Sequence, residues 1–163
     1  MKRHEHISET PATRFLRAHK VVFAEHVYDY LEHGGALHSA QVLSVDPFCV
    51  VKTLVMRDDR CRPLLVLMHG NRRVSTRSLA RQIAAKSVEP CPPEDANRHS
   101  GYLVGGTSPF ATRKAMPAYF EQTILELPRM LINGGRRGYL VELEPALCMR
   151  LLGAKPVQCA LAE

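Results

Sequence analysis

The chain has 163 residues, 45% of them hydrophobic, and a formal net charge of +6. That length and balance suit one globular domain with one core and exclude a disordered or fibrous chain. No apolar run approaches the roughly 20 residues of a membrane span, and no apolar segment follows the basic residues of MKRHEHISET, so neither a membrane association nor a secretory signal is expected. The five cysteines (Cys49, Cys61, Cys91, Cys148, Cys159) are scattered and form no CxxC. Zinc-ribbon and thioredoxin-like readings therefore lack support, and reduced thiols in a cytoplasmic protein are expected. The basic balance favours an anionic partner.

Residues 1–9 read as a loose polar tail, with a single domain over 10–163. Thr10-Pro11 predicts a helix start, Thr as the cap and Pro at the first helical position, ending near Lys20 with Phe15, Leu16 and His19 sharing a face. Val21 to Tyr30, rich in β-branched and aromatic residues, predicts a strand or strand pair, broken by His33-Gly34-Gly35. Ala36 to Val45 predicts a short amphipathic helix with Leu37, Ala40 and Val42 or Leu43 on its apolar side.

Phe48 to Met56 (FCVVKTLVM) is the longest β-branched run and predicts a central strand. With a period of two, Lys52 shares a face with Val50, Leu54 and Met56. An ammonium inside such a strand needs a partner or an opening. Asp58-Asp59 turns the chain into a second strand, Pro63 to His69, completing a hairpin. Ser75 or Thr76 caps a helix expected to run through Lys86 with Leu79, Ala80 and Ile83 inward. Arg73, Arg77 and Arg81 follow at i, i+4 and i+8 and are expected to stack on one face.

Pro90 to Pro93 is a break, and Glu94 to His99 one helical turn. Ser100 to Pro109 (SGYLVGGTSP) then reads as a short strand, Tyr102 to Val104, that stops at two glycines, two hydroxyls and a proline. Gly105 and Gly106 let another molecule approach their N–H groups, and Thr107 and Ser108 add short polar groups beside them. Such a turn can hold a phosphate, a carboxylate or a developing oxyanion, although a lone Gly-Gly is most simply a tight surface turn. Ala118 to Leu127 is ambiguous between strand and helix. Arg129 to Asn133 and Tyr139 to Leu143 predict a hairpin with a basic tip, Glu144 to Leu152 a final helix stopped by Gly153, and Pro156 to Cys159 an edge strand. The irregular interleaving of strands and helices is not βαβ alternation. It points to a mixed α+β fold in which a curled mixed sheet forms a barrel-like core with helices outside.

No GxSxG elbow supports a Ser-His-acid triad. His26, His38 and His69 are metal-competent but stand at no ligand spacing. Gly135-Arg136-Arg137-Gly138 matches the GxxG of KH domains, a weak signal that a hairpin tip explains as well. A lysine inside a strand, a glycine turn and basic surface together favour a site for an anionic ligand.

VVKTL (Val50 to Leu54), GYLVGGTSP (Gly101 to Pro109) and INGGRRG (Ile132 to Gly138) occur in an order and at separations that resemble the YbaK/EbsC family, free-standing relatives of the editing domain of bacterial prolyl-tRNA synthetase. The resemblance covers about Thr10 to Val157. It implies a mixed β-barrel core, and an aminoacyl-tRNA deacylase that hydrolyses the ester of a mischarged tRNA of the tRNA(Pro) type, such as Cys- or Ala-tRNA(Pro). It implies no metal and no cofactor, and makes a synthetase a candidate partner. Lys52 matches the family's functional lysine and Thr53 its neighbour; Gly105 matches the glycine whose backbone holds the substrate, with Gly106 beside it. Tyr28 sits where cysteine-specific members have a pocket tyrosine. Thr107, Ser108, Asn133 and Gly134 complete the expected substrate contacts, and Arg73, Arg77, Arg81, Arg136 and Arg137 the expected phosphate contacts along the acceptor stem. Where several members have serine before the paired glycines this chain has Asn133, and where they have aspartate it has Leu140, or Tyr139 one register over. Two rival classes are compatible with the same residues: a non-catalytic RNA-binding module and a small-ester hydrolase.

Overall fold

The computed structural model describes residues 9–162; the expected tail, apart from Glu9, lies outside them. The described elements are α1 (Pro11–Ala18), β1 (Ala24–Val27), α2 (Gly35–Leu43), β2 (Val50–Asp58), β3 (Pro63–His69), β4 (Arg72–Val74), α3 (Thr76–Gln82), β5 (Val88–Pro90), α4 (Pro93–Ser100), β6 (Ala118–Glu121), β7 (Met130–Arg136), β8 (Tyr139–Leu143), α5 (Pro145–Leu152), β9 (Lys155–Val157) and β10 (Ala160–Ala162). The fold is mixed α+β, as expected. A mixed sheet runs in the order β1-β8-β7-β2-β3-β6-β9, with β5 pairing β2 beside this path. β2 and β3 form the expected antiparallel hairpin, whereas β2 pairs with β7, β3 with β6, and β6 with β9 in parallel.

Local chemistry explains the elements that matter for the site. Thr10 caps α1 through a reciprocal pair of bonds with Thr13, and its hydroxyl also donates to the Gly134 carbonyl at 2.6 Å, which fixes α1 against β7. Every residue of β3 is buried, the signature of a strand covered on both faces. The main core gathers Leu16, Val51, Leu67, Phe110, Phe120, Ile132, Tyr139 and Val141. Gly134 belongs to this packing: a Cβ there would lie 2.6 Å from Cε1 of Tyr139.

Several elements differ from the sequence reading. Only Ala24–Val27 of the Val21 to Tyr30 run is strand. On α2, Ala40 is buried but Leu37 and Val42 are exposed, so its apolar side is narrower than expected. The helix capped by Ser75 stops at Gln82, and Arg73 lies on β4, paired with β10. Arg73 therefore does not continue the helical row of Arg77 and Arg81; the i, i+4 spacing crosses a strand-to-helix boundary. Ala118 to Leu127 resolves into β6 followed by a 3-10 turn over Gln122–Glu126.

Among the described residues the histidines are not gathered into a ligand set, and no cluster of three or more His, Cys, Asp or Glu that could hold a metal occurs. His26 meets Glu142 at 3.1 Å and His38 the Asp29 carbonyl at 2.9 Å. His69 is fully buried and stacks on Phe48 with ring centroids 3.6 Å apart. Its Nδ1–H donates to the Phe48 carbonyl at 2.6 Å, and its Nε2 lies 2.7 Å from the Thr123 hydroxyl, itself 2.6 Å from Glu121. The other Glu121 oxygen accepts from the N–H groups of Cys159 and Ala160.

Burial pushes His69 below its ordinary value of 6.5. For Glu121 burial pushes upward, but its hydrogen bonds outweigh that and hold the carboxyl below 4.5. In both cases the unfolded chain takes up protons at higher pH than the folded one. Stability is thus expected to fall with acidification in two phases, one beginning near 6.5 and one near 4.5. Glu121→Gln, which turns an NH2 toward backbone donors, should cost about 2–4 kcal/mol and shrink the lower phase, leaving the part carried by Asp58 and Asp59, whose carboxyls are also held below their ordinary value. Denaturant melts between about pH 3 and pH 8, a range that reaches below the ordinary carboxyl value as well as above the ordinary imidazole value, test this. A flat profile in the native chain would contradict it.

Candidate functional site

A cavity of about 510 Å³ opens on β2. Its floor is Val50 to Met56. One wall comes from Tyr28, Tyr30 and the first turns of α2, and another from Val104, Gly105 and Thr107 with Asn133, Arg137 and Leu140 of the β7–β8 hairpin. The far end is closed by Pro90, Cys91, Pro93 and Ala96. Lys52 and Gly105 thus line one space, as their assignment to one site requires.

The glycine loop is not the end of a strand. α4 stops at Gly101, at φ +81°, and the chain continues as turns. Leu103 and Val104 are exposed, and side chains hold the loop in place of a ladder. The Val104 N–H donates to Asn97 Oδ1 at 3.0 Å, Arg137 Nε donates to the Val104 carbonyl at 2.9 Å, and Asn133 Nδ2 donates to the Gly105 carbonyl at 3.1 Å. The same Asn133 accepts from the N–H groups of Gly135 and Arg136, so one side chain ties the bulge of β7 to the loop.

The expected site residues divide accordingly. Tyr28, Lys52, Thr53, Gly105, Thr107, Asn133 and Arg137 line the cavity. Gly106, Ser108 and Gly134 do not. The Gly106 N–H already donates to the Leu103 carbonyl at 2.8 Å, and a Cβ there would meet the Arg137 nitrogen at 2.8 Å, so this glycine seats the loop on the hairpin. Ser108 is fully buried and accepts from the Phe110 N–H at 3.1 Å. Arg73, Arg77 and Arg81 are exposed but away from the cavity; Arg77 and Arg81 flank a separate shallow depression with Lys86. Arg136, expected at an exposed tip, is half-buried with its guanidinium 5.4 Å over the Tyr139 ring.

Tyr30 is a wall residue that sequence reasoning missed. Its ring lies 5.0 Å beneath the Arg137 guanidinium, and its hydroxyl would be 2.7 Å from a Cβ on Gly105. The only sequence signal was an aromatic one position from Asp29, in a stretch read as strand.

Glu32 is the only carboxylate among the described lining residues, so the cavity offers no carboxylate pair for acid–base work. Burial pushes the Cys91 thiol up, which keeps it protonated at neutral pH and a poor nucleophile. Burial likewise raises Tyr28. The Thr53 hydroxyl oxygen is buried and has no hydrogen-bond partner among the described residues. Of the two histidines on its wall, His38 is bonded through Nε2 to the Asp29 carbonyl and His33 is exposed; beside them the cavity supplies positive charge from Lys52 and Arg137, fixed backbone groups and shape. Those are the means of stabilising an oxyanion or a phosphate rather than of activating a protein nucleophile.

Residues 35–151 match the family described as the aminoacyl-tRNA editing domain. A relative from Enterococcus faecalis, provisionally named Cys-tRNA(Pro)/Cys-tRNA(Cys) deacylase EbsC, is 28% identical over 156 residues, 95% of each chain. Among solved structures, the hypothetical protein APE2540 superposes with a TM-score of 0.85 at 20% identity, covering 93% of this chain and 100% of its own. A protein provisionally described as a trans-editing enzyme for prolyl-tRNA synthetase superposes with a TM-score of 0.82 at 21% identity, covering 95% and 100%. Among the described residues no helix is long and apolar enough to cross a membrane.

Proposed function

Since this chain belongs to the aminoacyl-tRNA editing domain family, we infer that its cavity hydrolyses the ester joining an amino acid to the terminal ribose of a mischarged tRNA. The observation that carries the reading is the shared cavity of Lys52 and Gly105. Water attacks the ester carbonyl, the carbon–oxygen bond to the ribose breaks, and the ribose oxygen leaves as a hydroxyl, taking up the proton the water gives up. A ribose ester needs little leaving-group activation, so orientation and charge stabilisation suffice.

In this reading the Gly105 N–H, which has no partner among the described residues, faces the attacking water or the developing oxyanion. Lys52 neutralises charge on the ribose or the terminal phosphate. Arg137 holds the loop while its exposed guanidinium meets the acceptor strand, and Arg73, Arg77 and Arg81 meet phosphates farther along the tRNA. A tRNA of the tRNA(Pro) type is the proposed substrate, with removal of a wrongly attached small amino acid such as cysteine or alanine.

A panel of mischarged tRNAs incubated with the intact protein tests this. Selective turnover of one or a few is the expected result. Binding without turnover across the panel would overturn it in favour of an RNA-binding module. Equal rates on free aminoacyl esters and aminoacyl-tRNA would overturn it in favour of a small-ester hydrolase, since the basic surface would then be idle.

A further inference from the structure

One edge of β2 carries two partners with a gap between them. Parallel β7 pairs with it at Val50 and Val51, and antiparallel β5 from Met56 to Asp58. On the opposite edge β3 is continuous from Val51 to Arg57. The bonds from the Asp58 N–H to the Arg62 carbonyl (3.0 Å) and from the Gly70 N–H to the Val50 carbonyl (2.6 Å) fix the parity. Even-numbered residues turn their N–H and C=O groups toward β3, and odd-numbered ones turn theirs the other way. The Cys91 N–H, donating to the Val55 carbonyl at 3.1 Å, obeys this rule on the far edge.

Thr53 therefore presents both its N–H and its C=O to the gap. β7 has left by then, because its bulge at Asn133 bends toward the glycine loop, and β5 has not yet begun. The gap opens on the cavity, which Lys52, Thr53 and Leu54 line. The orphaned, buried Thr53 hydroxyl oxygen is an independent observation at the same residue. A polar atom buried without a partner is costly, and a ligand that supplies the missing bonds relieves that cost.

We propose that the aminoacyl group docks on this gap as a one-residue strand paired with Thr53. Two residues of an antiparallel hydrogen-bonded pair exchange both N–H···O bonds, and an aminoacyl ester carries an α-amine and a carbonyl at the same spacing as a residue of a strand. The α-amine donates to the Thr53 carbonyl, the ester carbonyl accepts from the Thr53 N–H, and the Thr53 hydroxyl takes a second ammonium proton. The amino-acid side chain then stands off the pleat toward the cavity walls. The edge reads what all aminoacyl esters share, and the walls read what differs. A substrate whose amine is acylated, such as a peptidyl ester, keeps one N–H for the Thr53 carbonyl but loses the charge and the proton for the Thr53 hydroxyl, and is bound more weakly. This rests on the deacylase reading.

The experiment compares kcat/KM for a hydrolysed aminoacyl-tRNA with that for the same tRNA bearing the N-acetyl and the deamino acyl group, each divided by its spontaneous hydrolysis rate. Both analogues should lose about 10-fold or more, the worth of a hydrogen bond to a charged group. Thr53→Val, which keeps the backbone and removes the hydroxyl, should lower the aminoacyl rate by about 10-fold and leave the deamino rate unchanged. Equal normalised rates for all three substrates would overturn the proposal and leave the deacylase reading standing. Failure of the intact protein to hydrolyse any mischarged tRNA would overturn both.

Discussion

Replacing Lys52 with alanine is expected to lower kcat/KM for deacylation by about 10²–10³-fold, the range seen when one preorganised electrostatic contact to a developing charge is removed. Lys52 stands mid-strand on β2 and is half-buried, so its Cβ direction is set by the pleat and by Val51 and Val55, both buried to either side. Lys52 thereby lines the cavity from the longest strand pair among the described residues, β2 with β3. Stabilisation of charge that develops in the transition state appears in kcat; a contact with the terminal phosphate appears in KM. Lys52→Arg should not restore the rate, because a planar fork on a differently shaped stem does not replace a compact ammonium. The unfolding midpoint should shift by only a few degrees, since the substitution removes a partly exposed stem and no packed core group. Unchanged hydrolysis of the preferred substrate would remove Lys52 from the mechanism.

The parts of this molecule that follow from local chemistry are legible in the sequence alone. The hairpin of β2 and β3 rests on uninterrupted β-branched and aliphatic runs, and Pro63–His69 is strand from end to end. Thr10-Pro11 and Gly153 act where their conformational preferences put them, as a cap and as a left-handed helix end. The glycine loop was misread as a strand end because its order comes from Asn97, Asn133 and Arg137, side chains that reach it from elsewhere. Gly106, Ser108 and Gly134 carry the same residue types as ligand-facing positions, and only packing separates them: each is closed off by its own chain. Arg73 looked helical because its spacing matched the helical period by accident. The gap at Thr53 has no local signature, since it is set by where β7 leaves and β5 arrives on a common edge.

Gly105→Ala is expected to cost about 10²-fold in kcat/KM, the penalty of moving a catalytic group by roughly 1 Å. Gly105 sits at φ +90°, a conformation that L side chains rarely adopt, so any other residue is strained there before neighbours are considered. The new Cβ would lie 2.7 Å from the Tyr30 hydroxyl and 3.0 Å from Cε2 of the same ring. Either the loop retreats or Tyr30 swings out. If the loop retreats, the Gly105 N–H leaves the water or oxyanion it is proposed to face, and the Asn133 bond to the Gly105 carbonyl stretches. If Tyr30 moves, the ring under Arg137 is lost and the Arg137 grip on Val104 loosens with it. The two routes separate in a double-mutant cycle with Tyr30→Ala. That change empties the space the Cβ needs, so the double variant should recover part of the lost rate if steric contact is the cause. Purely additive losses would place the whole effect in backbone strain at Gly105. Full activity in the single variant would show that the reaction does not depend on where this peptide group points.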